Sequence, residues 1–246
     1  GKMINKCSIM AQCAQIDYVD AKEAKRHYKK LGYTSHKFIE HDGAQMHIVS
    51  NKEEVVLCFR GTEPKELSDI KADLNALPDR AHNGSGLVHN GFQEEVNKIW
   101  EQLNVALNKM KLDGKSFFVC GHSLGAAMAT IATSRMQDKV DALYTYGSPR
   151  TGTKKFVNSI KTAHYRHVNN NDMVTCVPFA LLGYRHHSSP RYINYYGNIR
   201  KCTRWQRIKD KWRGRWRALK KGMPFDGAYD HSMTHYCKYT RENEHD

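Results

Sequence analysis

Hydrophobic positions in this chain gather into short apolar runs separated by polar, glycine-containing breaks. Asn51-Lys52-Glu53-Glu54 leads into Val55-Val56-Leu57-Cys58-Phe59, and Ser116-Phe117-Phe118-Val119-Cys120 is a second run of the same kind. Runs of this length and content predict buried strands. Ala126-Ala127-Met128-Ala129-Thr130-Ile131-Ala132 is a small-residue run suited to a closely packed helix, and Ala163-His164-Tyr165-Arg166-His167-Val168 reads as another strand. Upstream, the pattern gives helices before Lys30 and a hairpin-like pair of strands around His41-Asp42-Gly43. From Glu54 to about Val168 strands and helices alternate, which predicts an α/β fold: a mostly parallel central sheet flanked by helices. No internal repeat or low-complexity linker interrupts it.

Residues 200–221 form the one compositional break. Eleven lysines and arginines stand there against Asp210 alone, so this stretch carries +10 of the formal +14. Trp205, Ile208, Trp212, Trp216 and Leu219 recur at helical spacing, which predicts a basic amphipathic helix despite Gly214 at its middle. Such helices lie well on anionic membrane surfaces; the alternative is a tryptophan stripe packed on the domain with its bases in water.

At 246 residues and 40% hydrophobic, residues 1–246 suffice for a single domain with one sizeable core. No run of about twenty apolar residues is present, so no transmembrane segment is expected. Gly1-Lys2 precedes Met3 without a recognisable leader, which favours the cytoplasm and leaves secretion open if a leader has been removed. Seven cysteines with no C-x-x-C pair suggest neither a disulfide framework nor a zinc site, and no cofactor motif occurs. Cys58 and Cys120, inside predicted core strands, read as small buried hydrophobes.

The chemistry centres on Gly121-His122-Ser123-Leu124-Gly125, a G-x-S-x-G pentapeptide between a predicted strand and a predicted helix. In so tight a turn the glycines allow close approach of the flanking backbone, and the serine is held at the positive end of the helix. A serine hydroxyl needs a base to take its proton and an acid to orient that base, in the chain order Ser, Asp or Glu, His. Of Asp138, Asp141 and Asp172, the last follows a strand in the loop Asn169-Asn170-Asn171, at the strand end where open α/β sheets keep their chemistry. Spacing alone does not choose among His186, His187, His231, His235 and His245.

Several blocks, in order, resemble the class 3 (fungal-type) lipase family of the α/β-hydrolase superfamily. They are Phe59-Arg60-Gly61-Thr62 with Asp73-Leu74, Val88-His89-Asn90-Gly91-Phe92, the serine pentapeptide, Tyr146-Gly147-Ser148-Pro149-Arg150-Thr151-Gly152, Asn171-Asp172-Met173-Val174 before Pro178, and Asp230-His231. The resemblance implies Ser123 as nucleophile, Asp172 as orienting acid and His231 as general base, with His187 in a structural block. One oxyanion donor should be the backbone N–H of Leu124, directly after the nucleophile. The resemblance puts the second on Thr62. Two departures are visible: Glu63-Pro64-Lys65-Glu66-Leu67-Ser68-Asp69-Ile70 is a polar segment where many relatives have an apolar lid, and Ala126 replaces a frequent glycine.

The expectation is therefore a serine carboxylic-ester hydrolase, a triacylglycerol lipase-like enzyme that cleaves acyl esters of lipids through an acyl-enzyme intermediate, with no cofactor and no metal. Phospholipase A1-type or short-chain esterase activity, or an anionic-surface binding protein on the same fold, are the alternatives. The expected partners are the lipid or acyl-ester substrate and an anionic membrane touched through residues 200–221. Nucleic acid is disfavoured.

Overall fold

A computed structural model describes residues 2–60, 77–169, 183–193 and 199–200. The chain opens with helices α1 (Lys2–Ile16) and α2 (Ala21–Lys30), the second capped by Asp20, whose carboxylate accepts from the Glu23 N–H at 3.0 Å. Strands β1 (Ser35–His41) and β2 (Ala44–Ser50) form the expected hairpin. Asp42 and Gly43 both take positive φ (49° and 85°), as the tight turn that joins two twisted strands requires.

Strand β3 (Glu54–Phe59), β6 (Ser116–His122), β7 (Ala142–Tyr146), β9 (Ala163–Asn169), β11 (Pro190–Ile193) and β12 (Ile199–Arg200) complete an eight-stranded sheet, ordered β1-β2-β3-β6-β7-β9-β11-β12 among the described residues. Its middle, from β3 through β11, is parallel, and antiparallel pairs close both ends. Every residue of β7 is buried, as a central strand covered on both faces must be. Because strand side chains alternate, β3 sends Val55, Leu57 and Phe59 to one face and Val56 and Cys58 to the other. Helices α3 (Asn90–Asn108) and α4 (Leu124–Arg135) cover the first face. Helices α1 and α2 cover the second, where Cys58 and Cys120 lie buried with free thiols.

Sequence periodicity does not reveal a second sheet of very short strands, β4 (Pro78–Arg80), β5 (Leu87–His89), β8 (Gly152–Thr153) and β10 (Tyr184–Arg185), paired antiparallel in the order β10-β8-β5-β4. Helix α5 (Lys154–Ser159) follows β8. At the far edge, Arg200 ends a strand paired with β11, so residue 200 itself is not part of the basic helix read over residues 200–221. The stretch 201–221 lies outside the described residues.

Candidate active site

Strand β6 runs through the core to His122, and α4 begins at Leu124; Ser123 alone makes the corner. Its backbone sits at φ 58° and ψ −123°, a region that costs a non-glycine residue about 1–3 kcal/mol unless its surroundings enforce it. The enforcement is visible. The Ser123 N–H donates to the Tyr146 carbonyl at 3.1 Å, and the Ser123 carbonyl accepts from Ala126 N–H at 3.0 Å and Ala127 N–H at 3.2 Å. A Cβ on Gly121 would lie 2.3 Å from the Gly125 carbonyl oxygen, so only glycine lets strand and helix meet this closely. The small residues from Gly125 to Ser134 are all buried, which is why α4 can pass so near the sheet.

The hydroxyl held by this turn is in an unusual state. Ser123 is fully buried, and its Oγ has no hydrogen-bond partner among the described residues. The first N–H groups of α4, Leu124 among them, have no intrahelical acceptor and carry the positive end of the helix dipole. A buried hydroxyl, unpaired among the described residues and set beside the first N–H groups of a helix, suits an atom that gains a bond and passes negative charge to an oxygen nearby.

One neighbour of the elbow is not apparent from sequence. The Tyr18 hydroxyl, in the turn after α1, hydrogen-bonds His122 Nδ1, and the two rings meet edge to face at 5.6 Å. His122 is fully buried, so this contact fastens the α1–α2 layer to the residue before the serine. The two residues are 104 positions apart, and no local motif links them.

Register brings the ends of β3 and β9, the strands that lead toward Thr62 and Asp172, level with the elbow. Phe59 pairs with Gly121 across β3 and β6, so the chain toward Thr62 leaves the sheet beside the elbow. His122 pairs with Tyr146, and Tyr146 with His167, so the chain toward Asp172 leaves at that edge too. Thr62, Asp172 and His231 lie outside the described residues, as do the polar segment 63–70, His235 and His245. Asp141 sits at the opposite end of the strands, where its Oδ2 accepts from the Phe117 N–H at 2.7 Å. Both ring nitrogens of His187 are engaged, Nδ1 at 2.8 Å from His164 Nδ1 and Nε2 at 2.8 Å from the Ile160 carbonyl. Burial lowers the pKa of both imidazoles. His164 continues the network to Thr145 Oγ1 at 2.6 Å, so His187 ties β9 to its neighbours. Among the described residues no group of three or more His, Cys, Asp or Glu is arranged to hold a metal ion, and no helix is long and apolar enough to cross a membrane.

Comparison with known proteins agrees with this architecture. A toxin of Vibrio cholerae, TseL, is 33% identical over 150 residues, which are 59% of this chain and 23% of the toxin. The secreted mono- and diacylglycerol lipase 1 of Fusarium solani is 38% identical over 112 residues, 43% of this chain and 33% of the lipase. The chain thus spans about a quarter to a third of the length of these two relatives. Among solved structures, the lipase of Rhizopus microsporus var. chinensis superposes with a TM-score of 0.69 over 94% of this chain and 86% of its own, at 20% identity. The Rhizomucor miehei lipase in its propeptide complex gives 0.62 over 78% and 68%, at 22% identity. These superpositions establish the α/β-hydrolase fold that the family resemblance implied, and the sheet is mostly parallel as the alternation of strands and helices predicts. The model of the family described as lipase (class 3) matches residues 56–182, from β3 through the serine elbow and beyond β9. With just over half of its length matched, the chain belongs to the class 3 lipase family.

Proposed function

We propose that the chain is a serine carboxylic-ester hydrolase acting on acyl esters of lipids, formed as one α/β-hydrolase domain over residues 1–246. In this reading Ser123 Oγ attacks the ester carbonyl carbon while His231 accepts its proton and Asp172 holds the imidazolium in place. Negative charge moves to the carbonyl oxygen, where the Leu124 and Thr62 N–H groups meet it; losing one such donor typically costs about 3–4 kcal/mol. His231 then gives the proton to the departing alcohol, and water cleaves the Ser123 acyl ester by the same steps in reverse. The observation that carries the reading is the buried Ser123 Oγ, unpaired among the described residues, on an enforced positive-φ turn at a helix N-terminus. Membership of a lipase family and a relative named as a mono- and diacylglycerol lipase favour glycerolipid esters as substrates. The fungal relatives are named as secreted, which favours action outside the cell over the cytoplasm.

Hydrolysis of p-nitrophenyl acyl esters and of emulsified di- and triacylglycerols, compared across chain length, tests the activity and its head-group preference together. Turnover of neither class would end the reading. The basic stretch 200–221 favours an anionic lipid surface as the place of work. Changing Arg207, Lys211, Arg215 and Lys220 to Gln should weaken binding to anionic vesicles in a salt-dependent way, by about 1 kcal/mol per base near the surface, and leave a short soluble ester unaffected. Equal binding of wild type and this variant would remove the membrane from the account.

A further inference from the structure

The two edges of the large sheet differ. At one end β12 is two residues long; at the other β1 presents seven residues with no proline and no partner on its outer side among the described residues. Exposed edges of this length are usually shortened, broken or covered, because their free N–H and C=O groups accept another strand. Beside β1 the side of α3 overhangs the sheet, and a groove of about 550 Å³ runs between them. Ile48, Val105 and Met110 supply apolar surface to it, and Lys37 and Lys109 flank them, with Glu101 as the acid. Val105 is 48% exposed, one of few large apolar side chains so open among the described residues.

The groove lies away from Ser123. Lys37 pairs with Ile48, Ile48 with Leu57 and Leu57 with Val119, four positions before the serine and toward the amino ends of the parallel strands. Ester hydrolysis at Ser123 therefore makes no use of this surface, and an occupant of the groove would be independent of it.

We propose that β1 and α3 form a docking groove for an extended, acidic segment of another polypeptide, which adds to the sheet as a strand beyond β1. The backbone edge of β1, unpaired among the described residues, fixes the occupant's conformation, because only an extended chain meets alternating N–H and C=O groups in register. The neighbouring helix fixes which side chains matter. One apolar side chain of the incoming strand rests on Val105 and Met110, and carboxylates beside it meet Lys37 and Lys109. At the groove itself Lys37 and Lys109 stand against Glu101 alone, so its lining is net positive and favours a carboxylate-bearing strand.

The test uses the whole chain and a fluorescein-labelled peptide of alternating valine and glutamate, matched to the seven residues of β1. Anisotropy should show saturable binding, and hydrogen exchange should slow at the β1 amides. A version with lysine in place of glutamate should bind roughly tenfold more weakly, the size expected from reversing two surface charge contacts. Lys37→Glu with Lys109→Glu should reverse that preference, and Val105→Asp should weaken both peptides. All three positions are exposed or line the groove, so circular dichroism should be unchanged. Absence of saturable binding, binding without slowed exchange in β1, or a preference indifferent to the charge exchange would each overturn the proposal. So would a dimer in sedimentation that Val105→Asp dissolves.

Discussion

Helices α3 and α4 meet the central sheet through aliphatic and aromatic side chains, with Val55, Leu57, Phe59, Val119, Leu143, Val96, Ile99 and Leu103 in one continuous layer. Helices α1 and α2 meet the opposite face differently: Cys13, Cys58, Cys120, Tyr28, Tyr144 and Tyr146 pack there, and the fully buried Asp17 and His47 sit among them. The Tyr28 hydroxyl lies 3.0 Å from the Cys13 carbonyl and 3.2 Å from Asp17 Oδ1, and Tyr146 donates to the Cys7 carbonyl. Asp17 and His47 approach to 3.3 Å, yet they are not an ion pair. Burial raises the Asp17 pKa well above the ordinary carboxylate value, with the neighbouring Cys58 adding to it, and burial also pushes His47 down to about 3. His47 is therefore neutral near pH 7, which is why the contact is not an ion pair, and Asp17 Oδ2 has no hydrogen-bond partner among the described residues. One face is held mainly by apolar burial, with Arg135 joining the two helices through Asn97 and the Trp100 ring. The other depends on hydrogen bonds and protonation, and it is the face that reaches the elbow through Tyr18 and His122.

The largest effect expected from this contrast belongs to the apolar face. Phe59→Ala should cost about 3–5 kcal/mol in chemical denaturation, because a fully buried ring leaves a cavity that the rigid sheet cannot close. That loss should be nearly the same at pH 5 and pH 8. On the polar face Tyr28→Phe keeps the ring and removes the hydroxyl, leaving the Cys13 carbonyl and Asp17 short of a donor, so about 1–3 kcal/mol should be lost. A cost as large as that of Phe59→Ala would mean that the two faces do not differ as described.

The smallest effect is also the most diagnostic. Because the folded-state pKa of Asp17 is raised, its contribution favours the native state below the unfolded carboxylate value and is lost as pH rises through the folded value. His47 runs the other way: its contribution is present above 6.5 and lost as pH falls from there toward about 3. Asp17→Asn removes only the first of these, so the stability of the variant relative to wild type should increase as pH rises above about 4, the ordinary carboxylate value. Melting temperatures of both proteins between pH 5 and pH 9 measure it. A constant difference would show that Asp17 ionises in the folded protein as freely as in the unfolded chain.

What the sequence made legible was local. The elbow could be read because strand, glycine, serine and small-residue helix are contiguous from Ser116 to Ala132, and the β1–β2 turn because Asp42-Gly43 is itself a turn signal. Strands buried on both faces, such as Val55–Phe59, announce themselves by composition. Two- and three-residue strands such as Gly152–Thr153 carry no period, so the second sheet was invisible. The burial of Asp17 and His47 was equally hidden, because it arises from how the two helices lie on the sheet, α1 over β3, β6 and β7 and α2 over β1. Tyr18 against His122 is a contact of the tertiary structure alone. The choice among the C-terminal histidines came from resemblance, since spacing favoured none.

The central claim is that Ser123 is the reactive atom of an ester hydrolase, and covalent labelling tests it most directly. Treated with a fluorophosphonate probe in the presence of detergent, the protein should carry one adduct, located by peptide mass spectrometry at Ser123. Ser123→Ala should lose both the adduct and ester turnover while its circular dichroism and melting temperature stay close to wild type. An adduct on a different serine, or turnover that survives Ser123→Ala, would contradict the account.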